Sequence, residues 1–402
     1  MKRLKLKDLC DSIDYGFTAS ATSENTGIRF LRITDIVPGH VEWNNVPYCQ
    51  IPKKDIDRYK LFNGDIVIAR TGATTGACLH IANPPLAVFA SYLVRFKINK
   101  TLADSRYIYY CLKSDSFNAY LQGVLGDKSA QPNASAYTMT QFEIDIPPLE
   151  TQKEIAHILG TLDDKIEQNR SMNKTLEEIA QALFKHWFID FEFPNADGKP
   201  YKSSGGAMID SELGPIPHGW KVGKLRDVCL VSKEIVNPLK STDDSYLYYS
   251  IPAYDNSQNP DKVQLKTIMS NKYSVPNNCV LFSRLNPTTK RIWYVDESYV
   301  NKLCSTEFYV LESKSYDPLY IYLTLSEPQY YDTLTSSVNG TSNSHQRLDV
   351  DSLLDLSIVQ PKLDQDKSII LLTQMYKLIN NNKKAIDELQ KVRLDCMNYL
   401  LN

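Results

Sequence analysis

Pro147-Pro148-Leu149-Glu150-Thr151-Gln152-Lys153-Glu154-Ile155 separates two kinds of chain. The paired prolines close the preceding segment, because proline has no N–H for a strand or helix interior. Beyond them Ile155, Leu159, Leu162, Ile166, Asn169, Asn173, Leu176, Ala180, Leu183 and Trp187 alternate steps of four and three. This is a heptad seam, and it predicts a long helix over 150–188. The same start returns 213 residues later as Pro361-Lys362-Leu363-Asp364-Gln365. It leads into a second seam of Leu372, Met375, Ile379, Asn382, Ile386 and Leu389, which predicts a helix over 362–402. Asn169 and Asn382 hold equivalent places in the two seams. A buried Asn costs stability but fixes register, so the two helices are expected to pack on each other.

The repetition extends upstream of the helices. Asn63-Gly64-Asp65-Ile66-Val67-Ile68-Ala69-Arg70 matches Asn277-Asn278-Cys279-Val280-Leu281-Phe282-Ser283-Arg284, and Asp104-Ser105-Arg106-Tyr107 matches Asp317-Pro318-Leu319-Tyr320. A period above 200 residues is far too long for a solenoid and indicates a duplicated domain. Each copy predicts strands first (28–37, 65–70 and 93–98 in the first), then a short helix over 105–122 or 318–334, then the long helix. The expected class is α+β with a pseudo-two-fold internal repeat. Its parts are a domain over 1–149, a helix over 150–188, a linker over 189–217, a domain over 218–361 and a helix over 362–402. Gly, Pro and Ser clusters in 189–217 predict a connector running over the surface.

Composition narrows the function. The 402 residues carry 45 Lys and Arg against 47 Asp and Glu, with 43% hydrophobic side chains, as an ordinary globular protein does. No apolar run reaches the ~18 residues of a membrane span. Eight scattered cysteines without a C-x-x-C pair fit reduced thiols, so a cytoplasmic protein is expected. Six histidines show no metal-ligand spacing, and no catalytic constellation emerges. Asn83-Pro84-Pro85-Leu86 is similar to the Asn-Pro-Pro-aromatic motif of adenine methyltransferases, but Leu86 has no ring to stack a base, and a turn explains it. Net charge is −2, which by itself opposes binding nucleic acid through bulk charge; residues 1–149, however, carry 17 basic against 14 acidic groups.

The chain resembles the specificity subunits of type I restriction–modification systems. The likeness rests on the duplicated strand-rich unit and on the Pro-Pro-Leu-Glu-Thr-Gln-Lys-Glu-Ile helix start. It rests also on the linker ending Gly214-Pro215-Ile216-Pro217-His218-Gly219-Trp220, and on the Gly64-Asp65 strand that ends at Arg70-Thr71-Gly72. The resemblance implies two target-recognition domains, each reading half of a split site in double-stranded DNA, separated by two helices packed as an antiparallel coiled coil. It implies a non-catalytic subunit that docks two methylation subunits, which use S-adenosylmethionine. Restriction subunits, an ATP-dependent translocase and nuclease using magnesium, would join them; no cofactor is expected on this chain and no membrane partner. The alternative is a two-domain scaffold whose coiled coil organises proteins and never reads DNA.

Candidate DNA contacts are polar side chains in loops that follow strands. Arg70, Thr71, Thr74 and Thr75 lie in and beside Gly72-Ala73-Thr74-Thr75-Gly76, which can offer hydroxyls and N–H groups to phosphates or base edges. Arg284, Asn286, Lys290 and Arg291 occupy the corresponding stretch of the second copy. Lys128, Gln131 and Asn133 in Gly126–Asn133, and His345, Gln346 and Arg347 in the corresponding Gly340–Arg347, sit in the loops ahead of each long helix. Tyrosine pairs such as Tyr107 and Tyr109 read as packing.

Overall fold

The structure, a computed structural model, describes residues 2–125, 133–238, 245–296, 301–336, 346–362 and 366–401. The chain divides into two compact units, Met1–Ser171 with Lys383–Asn402, and Met172–Asn382.

In the first unit four antiparallel strands form a sheet: β1 (Cys10–Tyr15), β2 (Ile66–Ala69), β3 (Cys78–His80) and β4 (Leu93–Ile98), in the order β1-β4-β2-β3. The second unit builds β5 (Cys229–Ser232), β6 (Cys279–Ser283), β7 (Ile292–Val295) and β8 (Phe308–Ser313) in the same order, β5-β8-β6-β7. The duplication read from short matches is therefore a duplication of topology. The strand cores are apolar on both faces, as β2 (Ile66-Val67-Ile68-Ala69) and β6 (Cys279-Val280-Leu281-Phe282-Ser283) show by complete burial. Each unit also ties an early strand to the last one before the long helix that follows: Lys2–Lys5 pairs with Glu143–Ile146, and Lys221–Lys224 with Ser357–Gln360.

Three local expectations are corrected. The strand over 28–37 stops at Leu31, because Asp35 accepts the Arg32 N–H and turns the chain into a helical turn, Ile33–Ile36. The helix over 105–122 is two, α1 (Ser105–Leu112) and Asp115–Leu125. Its counterpart is likewise α3 (Pro318–Ser326) and Pro328–Ser336, where Pro328 cannot continue the preceding helix. The connector over 189–217 is folded rather than draped. Phe191 and Phe193 are buried against Trp220, and Met208–Ile209 pairs with Ile216–Pro217.

The long helices are α2 (Leu149–Phe184), extended by a π-turn to Ile189, and α4 (Asp366–Leu400). Gln152 explains the motif that starts α2. Its buried amide accepts the Asp104 N–H at 2.9 Å and donates to the Pro147 carbonyl at 2.9 Å, joining the helix start to the N-cap of α1. In the first unit Ile155 and Leu159 share a core with Met397, and Asp163 meets Arg393. In the second, Asn173 meets Ile379 and Asn382, while Ala180 shares a core with Leu372 and Tyr376. Rising numbers on α2 face falling numbers on α4, so the pair is antiparallel. Leu159, Ile166, Asn169, Leu372 and Ile379 are buried, whereas Leu162, Leu176, Leu183, Met375, Asn382, Ile386 and Leu389 are half-buried. Asn382 finds Asn173 at 2.8 Å, one turn beyond its repeat-equivalent Asn169.

The two copies differ where the long helices meet the domains. In the first unit Asp163 accepts bonds from Tyr110 Oη (2.7 Å) and from Arg393, beside a cleft of about 360 Å³ lined also by His80, Tyr109 and Lys113. Burial and the nearby Arg106 cation hold His80 down at about 4. At the corresponding positions the second unit has Tyr294, Tyr322 and Tyr376, rings with centroids 5.7–5.9 Å apart. One junction is ionic, the other aromatic. Arg393→Met should therefore destabilise the first unit by about 2 kcal/mol, less than a wholly buried pair because both groups keep some solvent. Hydrogen exchange in α1 should accelerate correspondingly; unchanged protection would show the pair to be inert. Among the described residues no helix is long and apolar enough to cross a membrane.

Candidate nucleic-acid interface

The loop after β2 and the loop before α2 meet in the first unit. Thr71 bridges Asn133, the Ala134 N–H donates to the Arg70 carbonyl at 2.8 Å, and Arg70 Nη2 donates to Asn133 Oδ1 at 3.3 Å. The second unit repeats the junction. Leu285 bridges Arg347, the Leu348 N–H donates to the Arg284 carbonyl at 2.9 Å, and the Asn286 N–H donates to the Gln346 carbonyl at 2.8 Å. Two stretches some sixty residues apart in sequence thus form one polar face per unit.

The candidates do not share one role. Thr74 and Thr75 belong to a self-satisfied turn: the Thr75 N–H and hydroxyl both donate to the Gly72 carbonyl, and the Ala77 N–H to that of Thr74. Gly76, at φ +96°, closes it, and a β-carbon there would stand 2.8 Å from Leu121 Cδ1. The N–H groups of Thr75, Gly76 and Ala77 are therefore engaged within the chain, by the Gly72, Ala69 and Thr74 carbonyls. Arg291 forks onto Asp255 at 2.7 and 2.8 Å, and Lys290 donates to the Ser326 carbonyl; both brace the second unit. Asn286 adopts φ +46° and shapes the loop. Lys128, Gln131 and His345 lie outside the described residues.

Three tyrosines belong to the first face although sequence reasoning passed over them. The Arg70 guanidinium lies 4.9 Å from the ring centroid of Tyr15, whose Oη accepts the Ala136 N–H. The Tyr92 carbonyl accepts the Arg70 N–H, and the Tyr92 and Tyr137 side chains stand 61% and 74% exposed. Large exposed aromatics beside an arginine suit stacking on bases or sugars. In the second unit Glu307 takes the place of Tyr92, its carbonyl accepting the Arg284 N–H. Its carboxylate binds Arg347 and Arg284, and the Arg347 guanidinium in particular holds it below the usual carboxylate range.

The long helices carry a second feature. Ile158, Met172 and Ile179 on α2, and Leu371, Leu378, Val392 and Tyr399 on α4, are exposed. All are spaced by sevens or multiples of seven, one place before a seam position, and Ile158 and Ile179 correspond to Leu371 and Val392 in the repeat. These exposed apolar side chains recur at one heptad position of each helix, a row that Lys165 interrupts on α2 and Ala385 on α4.

The family model described as the type I restriction modification DNA specificity domain matches residues 1–178 and 217–391. The MjaIX type I specificity subunit of Methanocaldococcus jannaschii is 28% identical over 332 residues, covering 78% of this chain and 71% of that protein. The HindI specificity subunit of Haemophilus influenzae is also 28% identical, over 53% of this chain and about half (46%) of its own length. A type I S subunit from M. genitalium has the same fold, with a TM-score of 0.59 at 12% identity, across 100% of this chain and 96% of that one. With a match that takes in both copies of the repeat and most of each long helix, the chain belongs to the type I restriction–modification DNA specificity family.

Proposed function

We propose that the chain reads a split, asymmetric sequence in double-stranded DNA, one unit per half-site, as the recognition component of an assembly whose other subunits do the chemistry. The observation that carries this reading is the doubled polar face, built twice from the same pair of loops, at Thr71–Asn133 and at Leu285–Arg347. Loops pinned backbone-to-backbone to strand ends hold Arg70, Asn133 and Arg347 in fixed positions, which base readout requires and a mere electrostatic grip does not.

The exposed stripes support docking of two methylation subunits, one helix-bearing partner for each. Restriction subunits would attach to that assembly. S-adenosylmethionine, ATP and magnesium belong to those partners in this reading, which places the complex in the cytoplasm. With net charge −2, the isolated chain should bind DNA weakly and depend on partners for much of the phosphate grip.

Domain exchange tests the reading. Replacing residues 1–149 with the corresponding domain of another specificity subunit should change one half of the methylated motif and leave the other half and the gap intact. Sequencing of methylated sites in cells expressing the hybrid with its methylation partner would show this. A change in both halves would defeat the two-reader scheme, and methylation without sequence preference would favour a scaffold.

A further inference from the structure

We infer that Arg347 reads a guanine in the half-site of the second unit, with Glu307 as its positioning residue. The inference rests on the DNA-reading function proposed above and adds the identity of one base. Arg347 Nε donates to Glu307 Oε2 at 3.1 Å and Nη2 to Oε1 at 2.8 Å, so one edge of the planar guanidinium is filled by the carboxylate. Arg284 Nε approaches the same Oε2 at 3.3 Å from just beyond the end of β6. The backbone is pinned as well, through the Leu285–Arg347 bridge and the Leu348 N–H on the Arg284 carbonyl. Half of the Arg347 side chain remains exposed, and Nη1 has no partner among the described residues.

A guanidinium has five N–H donors in a rigid fork. With the Nε edge occupied, the donors left over are adjacent, coplanar and fixed in direction. Guanine N7 and O6 are the base-edge acceptors that take such a pair. A phosphate contact is the competing use of an exposed arginine, and Glu307 argues against it. The carboxylate cancels one of the two positive charges beside it, which weakens attraction to phosphate while leaving the hydrogen-bonding direction intact. The described residues of the first unit are arranged differently: Tyr92 stands where Glu307 does, and Arg70 leans on Asn133.

The test is selection from a randomised duplex library by the chain assembled with its methylation partner, using wild type, R347A, R347K and E307Q. Wild type should select a guanine in the half-site that domain exchange assigns to the second unit. R347A and R347K should lose discrimination at that base pair about ten- to a hundred-fold, with all other positions still selected. R347K matters because lysine keeps the charge but not the fork. E307Q should relax the same position alone. Equal weakening on every sequence by R347A, with R347K restoring it, would mark a phosphate contact and overturn the inference. So would a second half-site without a guanine. If wild type selects no split motif at all, the underlying reading fails and the inference with it.

Discussion

Trp220→Ala should cost the second unit about 3–5 kcal/mol, the range for emptying a well-packed aromatic site. Trp220 is 4% exposed and touches three rings: it stacks on Phe193 at 5.1 Å, meets Phe191 edge-on at 5.6 Å and lies 6.1 Å from Phe188. Phe188 belongs to the π-turn that ends α2, and Phe191 and Phe193 belong to the connector, so one indole joins the helix end to the strand Lys221–Lys224 that follows it. The residues left behind cannot collapse onto the space, since Phe191 sits at φ +63° and Phe193 is held by Tyr201 on its other side. Thermal unfolding followed by circular dichroism should show the lower transition, and limited proteolysis should cut within 195–215 faster than in wild type. A loss below 1 kcal/mol with an uncut connector would mean that the aromatic cluster is decoration. Trp220→Phe should fall between, because it keeps a ring and loses its size.

This cluster shows where sequence reasoning succeeds and where it stops. Heptad spacing found the seam because it is a local, periodic property: Leu159, Ile166, Leu372 and Ile379 are buried as their spacing requires. Glycine and proline in 189–217 read as punctuation of a surface connector, and the alternating aromatics Phe191 and Phe193 carry the contrary signal. The partner of Asn382 was hidden for a different reason. Antiparallel packing matches numbers that sum to a constant, so Asn382 meets Asn173 and not its repeat-equivalent Asn169. Arg347 was legible as a polar loop residue, but Glu307, forty residues upstream across a strand, becomes its partner only once β6 and β8 pair. Lys290 and Arg291 illustrate the converse. Their charge suggests DNA, and the structure sets Arg291 on the Asp255 carboxylate and the exposed Lys290 on the Ser326 carbonyl.

Placing charge on the exposed heptad stripes should abolish assembly while leaving the fold untouched. Ile158→Glu with Ile179→Glu alters α2, and Leu371→Glu with Val392→Glu alters α4. These side chains already face solvent, so the isolated chain should lose less than ~0.5 kcal/mol per site. In a complex the exposed half of each would be buried against a partner helix, which contributes roughly 0.7–1.5 kcal/mol per side chain. Two per helix give roughly 1.5–3 kcal/mol before the cost of burying two carboxylates, so affinity should fall by at least about ten-fold. Ile158 and Ile179 are matched in the repeat by Leu371 and Val392, so each helix is expected to dock one partner. Wild type should carry two methylation subunits, either doubly substituted helix one, and the fourfold variant none, as read by native mass spectrometry. The seam supplies the control: Leu159→Ala, which faces the core, should destabilise the chain by about 2–5 kcal/mol. Where that variant still folds, it should retain both partners. Retention of two partners by the fourfold variant would show that the apolar stripes are not the docking faces. Loss of both partners from a single altered helix would instead show one composite surface, and would exclude independent sites on α2 and α4.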